Sequence, residues 1–308
     1  MSGMNKRAAI KRLKNLVFTS KSDLTAFRAA IEKEFYTPEL PNQVECRSLT
    51  IHGIACDMLI PQVSSTRRMI LYVHGGSFMG GSKKAWRGFC SSLANESSSR
   101  VLVPEFRLAP EFAFPAAIED ILAAFKRMCD HHVDVFIAAD GSGASIALAA
   151  ALSIPQPLRK YFKGVLLFSP WLDLSSTAAF YKTKIKDPLY NQNALHFCAA
   201  YYTYSGNLEN PLVSPLKADG SRFKGFPPVY IQTGSEELML PSMQELDKKL
   251  KECGVDCKLE IYDGLFHFFQ FIHEQVPQAH LAVEAAGKFV KNIEDTTDTQ
   301  LEEDDLWN

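Results

Sequence analysis

The chain has 308 residues, 46% of them hydrophobic, a formal net charge of −2 and a pI near 6.5. That is enough apolar material for one large core, and the balanced charge gives no electrostatic reason to expect nucleic acid or an anionic membrane as the main partner. The seven cysteines are odd in number and scattered through a long chain, which suits free thiols in a reducing, cytoplasmic setting better than a disulfide scaffold.

At the N-terminus, Lys11, Arg12 and Lys14 interrupt the turn after Lys6 and Arg7, so no export signal is predicted. No apolar run approaches the ~18 residues of a membrane span. Ile10, Leu13 and Val17 share one helical face, and Leu24, Phe27, Ile31 and Phe35 share another after Ser22 and Asp23. These helices, residues 1–43, are expected to cap a pocket; covering a sheet edge or lying in a membrane interface are the alternatives, the last because the first helix is basic.

The main domain is expected over residues 44–293. Val44 to Ile60 is strand-like on both sides of a His52-Gly53 turn, and Arg68 to Val73 reads as a buried strand running into His74-Gly75-Gly76-Ser77-Phe78-Met79-Gly80-Gly81. A helix from Lys84 to Glu96, a strand from Arg100 to Glu105 and a helix opened by Pro115 follow. Next comes Val135-Phe136-Ile137-Ala138-Ala139-Asp140-Gly141-Ser142-Gly143-Ala144, an apolar strand that breaks at a Gly/Ser cluster and resumes as an Ala/Leu/Ile helix. After Gly164 to Phe168 the pattern turns irregular from Ser169 to Leu216, which marks an insertion, taken as cap residues 174–213. Order returns with a strand at Pro228 to Thr233, a helix at Pro241 to Glu252, a strand at Lys258 to Tyr262 and a helix at Gln278 to Ile293. Residues 294–308 form an acidic tail, expected to be disordered. Alternating strand and helix at this spacing means an α/β fold with a mostly parallel, doubly wound sheet.

Three loops carry chemistry. Adjacent glycines after a strand, Gly75 and Gly76, can bring backbone N–H groups up to an oxyanion; neither a dinucleotide glycine motif nor a Walker lysine and serine is present, so a phosphate cradle is set aside. Gly234-Ser235-Glu236-Glu237 and Asp263-Gly264-Leu265-Phe266-His267 follow consecutive strands and place a carboxylate and a histidine at the edge where α/β sites form. His267 is the expected base, Glu237 rather than Glu236 its orienting acid, and His74 is expected to be structural. His131, His132, His273 and His280 are expected at the surface. No metal and no cofactor is expected, since H-E-x-x-H is absent and Cys253 and Cys257 lack a second pair.

These motifs resemble those of the hormone-sensitive lipase family of α/β-hydrolase carboxylesterases, from His74 to the last helix. His74-Gly75-Gly76-Ser77-Phe78 with Gly81-Ser82 is similar to that family's H-G-G-G-[FW]-x-x-G-S oxyanion motif, with Ser77 at the third glycine. Phe106-Arg107-Leu108-Ala109-Pro110-Glu111 with Phe114-Pro115-Ala116-Ala117 and Asp120 resembles its Y-R-L-A-P-E…F-P-A-A…D block. Ser169 to Leu174, Ser214-Pro215-Leu216, Gly234 to Glu237 and Gly264 to His267 resemble further family segments. The resemblance implies an α/β-hydrolase fold with a helical cap, a small-molecule ester substrate and hydrolysis of short to medium acyl esters through a Ser-Glu-His type site. It also implies an oxyanion hole from Gly75, Gly76 and the Ser142 N–H. Against the family's G-D-S-A-G-G, however, this chain reads Ala139-Asp140-Gly141-Ser142-Gly143-Ala144, so the nucleophile position falls on Gly141. Two readings stay open: Ser142 serves as substitute nucleophile, or catalysis is lost and the chain binds or senses a small molecule. A membrane surface is not an expected partner, and a homodimer is left open.

Overall fold

The computed structural model describes residues 6–65 and 67–293, so the predicted tail at 294–308 lies outside the described residues. Its centre is an eight-stranded sheet of β1 (Glu45–Ile51), β2 (Ile54–Ile60), β3 (Arg68–Val73), β4 (Arg100–Pro104), β5 (Asp134–Asp140), β6 (Phe162–Phe168), β7 (Val229–Gly234) and β8 (Cys257–Tyr262). The spatial order is β1-β2-β4-β3-β5-β6-β7-β8. β1, β2 and β4 pair antiparallel, and every pairing from β4 through β3 to β8 is parallel. All seven residues of β5 are buried. Covered on both faces, such a strand reads as a continuous apolar run, which is what its sequence shows.

The helices that follow the strands of the parallel part are α3 (Lys83–Ser97), α4 (Ala116–Asp130), α5 (Gly143–Leu152), α7 (Leu240–Glu252) and, after the last strand, α8 (Pro277–Asn292). Every residue of α5 is buried, so its all-round apolar composition matches its place in the core. α3 packs on α8 at very close range: a Cβ on Gly287 would stand 2.3 Å from the Glu96 backbone. Gly287→Ala adds up to ~1 kcal/mol of helix propensity, against roughly 1–3 kcal/mol for forcing two backbones apart, so the clash wins. The expected result is a lower urea midpoint at an unchanged m-value; an equal or higher midpoint would show that α3 and α8 separate freely.

Two elements cover the carboxyl edge of the sheet. The first is the N-terminal pair, α1 (Lys6–Leu13) and α2 (Leu24–Phe35), the latter capped by Asp23, which accepts the Ala26 N–H at 2.8 Å. α1 buries Ala9 and Leu13 in a small cluster with Leu265, Phe266 and Phe269, while α2 buries Phe27 and Ile31 in the main core. Arg28 of α2 locks the pair down: its Nε donates to the Met79 carbonyl at 2.7 Å, and its guanidinium meets Glu111 at 2.6 Å. The second element is the segment between β6 and β7 with α6 (Gln192–Tyr202), whose Leu195, Cys198 and Tyr202 join the main core. Among the described residues no helix is long and apolar enough to cross a membrane.

Candidate active site

β5 ends at Asp140, the chain turns through Gly141 at φ +48°, and α5 begins at Gly143. The left-handed turn aims the apex away from the sheet, and few residues other than glycine take that conformation without strain. A Cβ built on Gly141 points at His267, 3.3 Å from Nε2 and 3.6 Å from Cε1, with no other neighbour within 4 Å. A serine there would hold its hydroxyl against the imidazole. Gly143 permits the tight turn, since a Cβ on it would stand 2.2 Å from the Val73 carbonyl oxygen. Ser142 is directed differently: its Oγ is buried and accepts the Phe78 N–H at 3.0 Å. The structure thus brings Gly141 and His267 together and holds the Ser142 hydroxyl on the glycine loop.

In that loop, His74 is buried, stacks on Phe106 with centroids 4.3 Å apart, and pairs through Nδ1 with the Gly75 carbonyl at 2.8 Å. Burial pushes its pKa down to about 4, so it is a neutral packing residue. Gly75 departs from the expectation for it: its N–H already donates to Asp140 Oδ1 at 2.9 Å. That carboxylate also accepts the Trp86 Nε1–H at 2.8 Å and the Tyr72 hydroxyl at 3.0 Å. Burial pushes the Asp140 carboxyl up to about 7 against the lowering effect of these donors. Asp140 therefore ties the elbow to the glycine loop, a role the sequence reading missed; its place one residue before the apex was the available signal. Among the described residues no acceptor takes the amide N–H of Gly76, Ser77 or Ser142. Gly76 sits at φ +110° with its Cβ direction blocked by the Gly80 carbonyl, 2.2 Å away, so no side chain fits there.

Glu237 and His267 meet above β7 and β8. Glu237 is fully buried, and its Oε1 accepts the Ser169 hydroxyl at 2.7 Å and the Gly234 N–H at 2.5 Å. Its Oε2 lies 3.4 Å from His267 Nδ1, too poorly aligned for a hydrogen bond, and neither atom has another hydrogen-bond partner. Catalytic pairs are commonly this loose before substrate binds. Ser169 also accepts the Phe268 N–H at 2.8 Å, so one hydroxyl braces both the acid and the histidine loop. Burial, the largest single influence, works to lower the His267 pKa, but the carboxylates of Glu237, Asp187 and Asp140 together outweigh it, and the net shift is upward. Glu236 instead pairs with Lys6 at 2.7 Å at the surface. Of the other histidines, His273 corrects the expectation of a surface place: it is half-buried, with Nε2 2.8 Å from the Ser92 hydroxyl.

Two clefts meet at this point. The larger, about 540 Å³ of empty space counting its mouth, runs beneath the N-terminal pair and is lined by Leu13, Leu16, Ile31, Phe35 and Phe271. The smaller, about 280 Å³, runs beneath the second cap past Gly141, Trp171, Leu195 and Met239. Gly76, Ser77, Tyr190 and His267 line both. The Tyr190 ring stands edge-on to the His267 ring with centroids 4.8 Å apart. An elongated molecule with a central polar group would place that group beside His267 and its arms in the two clefts.

A family model described as the alpha/beta hydrolase fold matches residues 70–271. An acetyl-hydrolase of Streptomyces hygroscopicus is 31% identical over 228 residues, 73% of this chain and 75% of that protein. An esterase of Acinetobacter venetianus is 29% identical over 262 residues, 83% of this chain and 85% of that one. Among solved structures, an esterase from the bacterial hormone-sensitive lipase family superposes with a TM-score of 0.84 at 27% identity, covering 95% of this chain and 99% of its own.

Proposed function

This chain belongs to the hormone-sensitive lipase family of α/β-hydrolase carboxylesterases, and from that membership we propose that its paired clefts form an acyl-ester site in which Gly141 stands at the nucleophile position. In this reading His267 is the general base, Glu237 holds its Nδ1 tautomer, and the amides of Gly76 and Ser142, with that of Ser77 beside them, face the oxyanion. Gly75 is left out of that set because its N–H is donated to Asp140. The observation that carries the reading is the position of a Cβ at Gly141, 3.3 Å from His267 Nε2.

The substrates are neutral esters of short to medium acyl chains, matched to apolar walls such as Leu16 and Phe35. Gly141 itself favours a second reading, a protein that binds or senses a small molecule in the same clefts. Hydrolysis of p-nitrophenyl acetate and butyrate by Gly141→Ser separates the two. A folded serine variant that turns over neither ester would sink the ester-site assignment, and tight binding of a non-ester ligand would then favour the second. A cytoplasmic setting belongs to the same proposal and rests on seven free cysteines.

The pH profile follows from the charges around His267, which are the carboxylates of Glu237, Asp187 and Asp140. A general base works in its neutral form, and these carboxylates favour the protonated form, so the rate falls as pH drops through a raised pKa. In the serine variant the acid limb of kcat/KM is expected above the ordinary histidine range, and Glu237→Gln in that background should move it down. A limb at or below the ordinary value would mean that another group controls the rate.

A further inference from the structure

His267 is a braced base, and among the described residues no hydroxyl is hydrogen-bonded to its Nε2. The Cβ direction of Gly141 meets only Nε2 and Cε1 of its ring within 4 Å. Ser142 and Ser169 are engaged elsewhere. The Ser142 Oγ accepts the Phe78 N–H at 3.0 Å, Ser169 is hydrogen-bonded to Glu237 and Phe268, and the Ser77 side chain lies beside Tyr190 and Cys198. The space a hydroxymethyl group would take lies between the Gly141 backbone and the imidazole and borders the smaller cleft, which Gly76 and Ser142 also line.

We propose that this chain hydrolyses esters by single displacement, with a water molecule at the place of the serine hydroxyl and His267 as its general base, and that no acyl-enzyme forms. The proposal rests on the ester-site reading above and adds the identity of the nucleophile. The water oxygen bonds to the carbonyl carbon as its proton passes to His267 Nε2, and the carbonyl π pair moves to the oxygen facing the Gly76 and Ser142 amides. Collapse of that intermediate breaks the bond to the alkoxy group, which takes the proton from Nε2. The products are the free acid and the alcohol, and His267 returns to its neutral form. The geometry favours water over Ser142, because the Ser142 hydroxyl is held by the Phe78 N–H at 3.0 Å and makes no hydrogen bond to Nε2.

The test uses the chain with Gly141 in place and p-nitrophenyl butyrate as substrate. Release of p-nitrophenol is expected to be slow, linear from the first turnover, and unchanged by phenylmethylsulfonyl fluoride. His267→Gln should lower it roughly 100-fold, the usual share of a general base. Gly141→Ala, whose methyl group takes the place of the water, should also lower the rate. A pre-steady-state burst, an acyl adduct on Ser142 or Ser77 in the intact mass, a rate indifferent to His267→Gln, or no turnover above buffer would each overturn the proposal. If Gly141→Ala does not fold, judged by its melting curve, the burst, adduct and His267→Gln measurements still decide it. Activity of Gly141→Ser distinguishes the two levels: an active serine variant beside an inactive parent removes the water route and leaves the ester site standing.

Discussion

Gly141→Ser is expected to raise turnover of p-nitrophenyl butyrate by a factor on the order of 10⁴ to 10⁶ over the parent chain, the range that separates serine hydrolases from their nucleophile-deleted forms. The gain follows from three features already in place. The Cβ direction at residue 141 ends 3.3 Å from His267 Nε2, the amides of Gly76 and Ser142 have no internal acceptor among the described residues, and Glu237 stands behind the imidazole. A cost accompanies it: with φ at +48°, a side chain at residue 141 adds roughly 1–2 kcal/mol of backbone strain, so the active variant should melt at a lower temperature than the parent. Steady-state kinetics beside a thermal melt measures both. A variant that gains stability and no activity would mean that the Cβ does not point where the backbone directs it.

Within that serine background, Glu237→Gln should lower kcat by about 10⁴ with little change in KM, as expected when an orienting carboxylate becomes an amide. Oε1 of Glu237 already receives the Ser169 hydroxyl and the Gly234 N–H, so the amide oxygen of glutamine will settle there. That turns the NH₂ toward His267 Nδ1, donor against donor, and drives the ring to the tautomer with its proton on Nε2, which cannot accept one from serine. The reverse placement sets the NH₂ against two donors and costs more. A loss under tenfold would assign the orienting role to another carboxylate, with Asp187 the first to test.

Much of this arrangement was legible in the sequence because it depends on local order. The strand-turn-helix at 135–149, the glycine loop after β3 and the acid and histidine after β7 and β8 each follow from short patterns, and a parallel sheet gathers such strand ends on one edge. Other facts escaped because they are tertiary. The Gly75 amide is a good oxyanion donor by sequence, yet whether it faces the cleft or the protein depends on Asp140, 65 positions later. Periodicity likewise could not show that His273 meets Ser92 on α3, or that β4 lies between β2 and β3. The Ser142 hydroxyl is the sharpest case: adjacent in sequence to the apex, it is directed elsewhere by the turn that presents residue 141.

The Asp187 carboxylate accepts N–H groups from Leu189 and Tyr190 in the second cap and from Leu238, the neighbour of Glu237. Access to the clefts and alignment of the acid therefore share one joint. In the proposed ester site, a displacement of this part of the cap large enough to admit a bulky ester would pull on the residue beside Glu237 and on the ring that borders His267. Substrate entry and readiness for proton transfer would then be linked mechanically, and a ligand that props the cap open would loosen His267 as well.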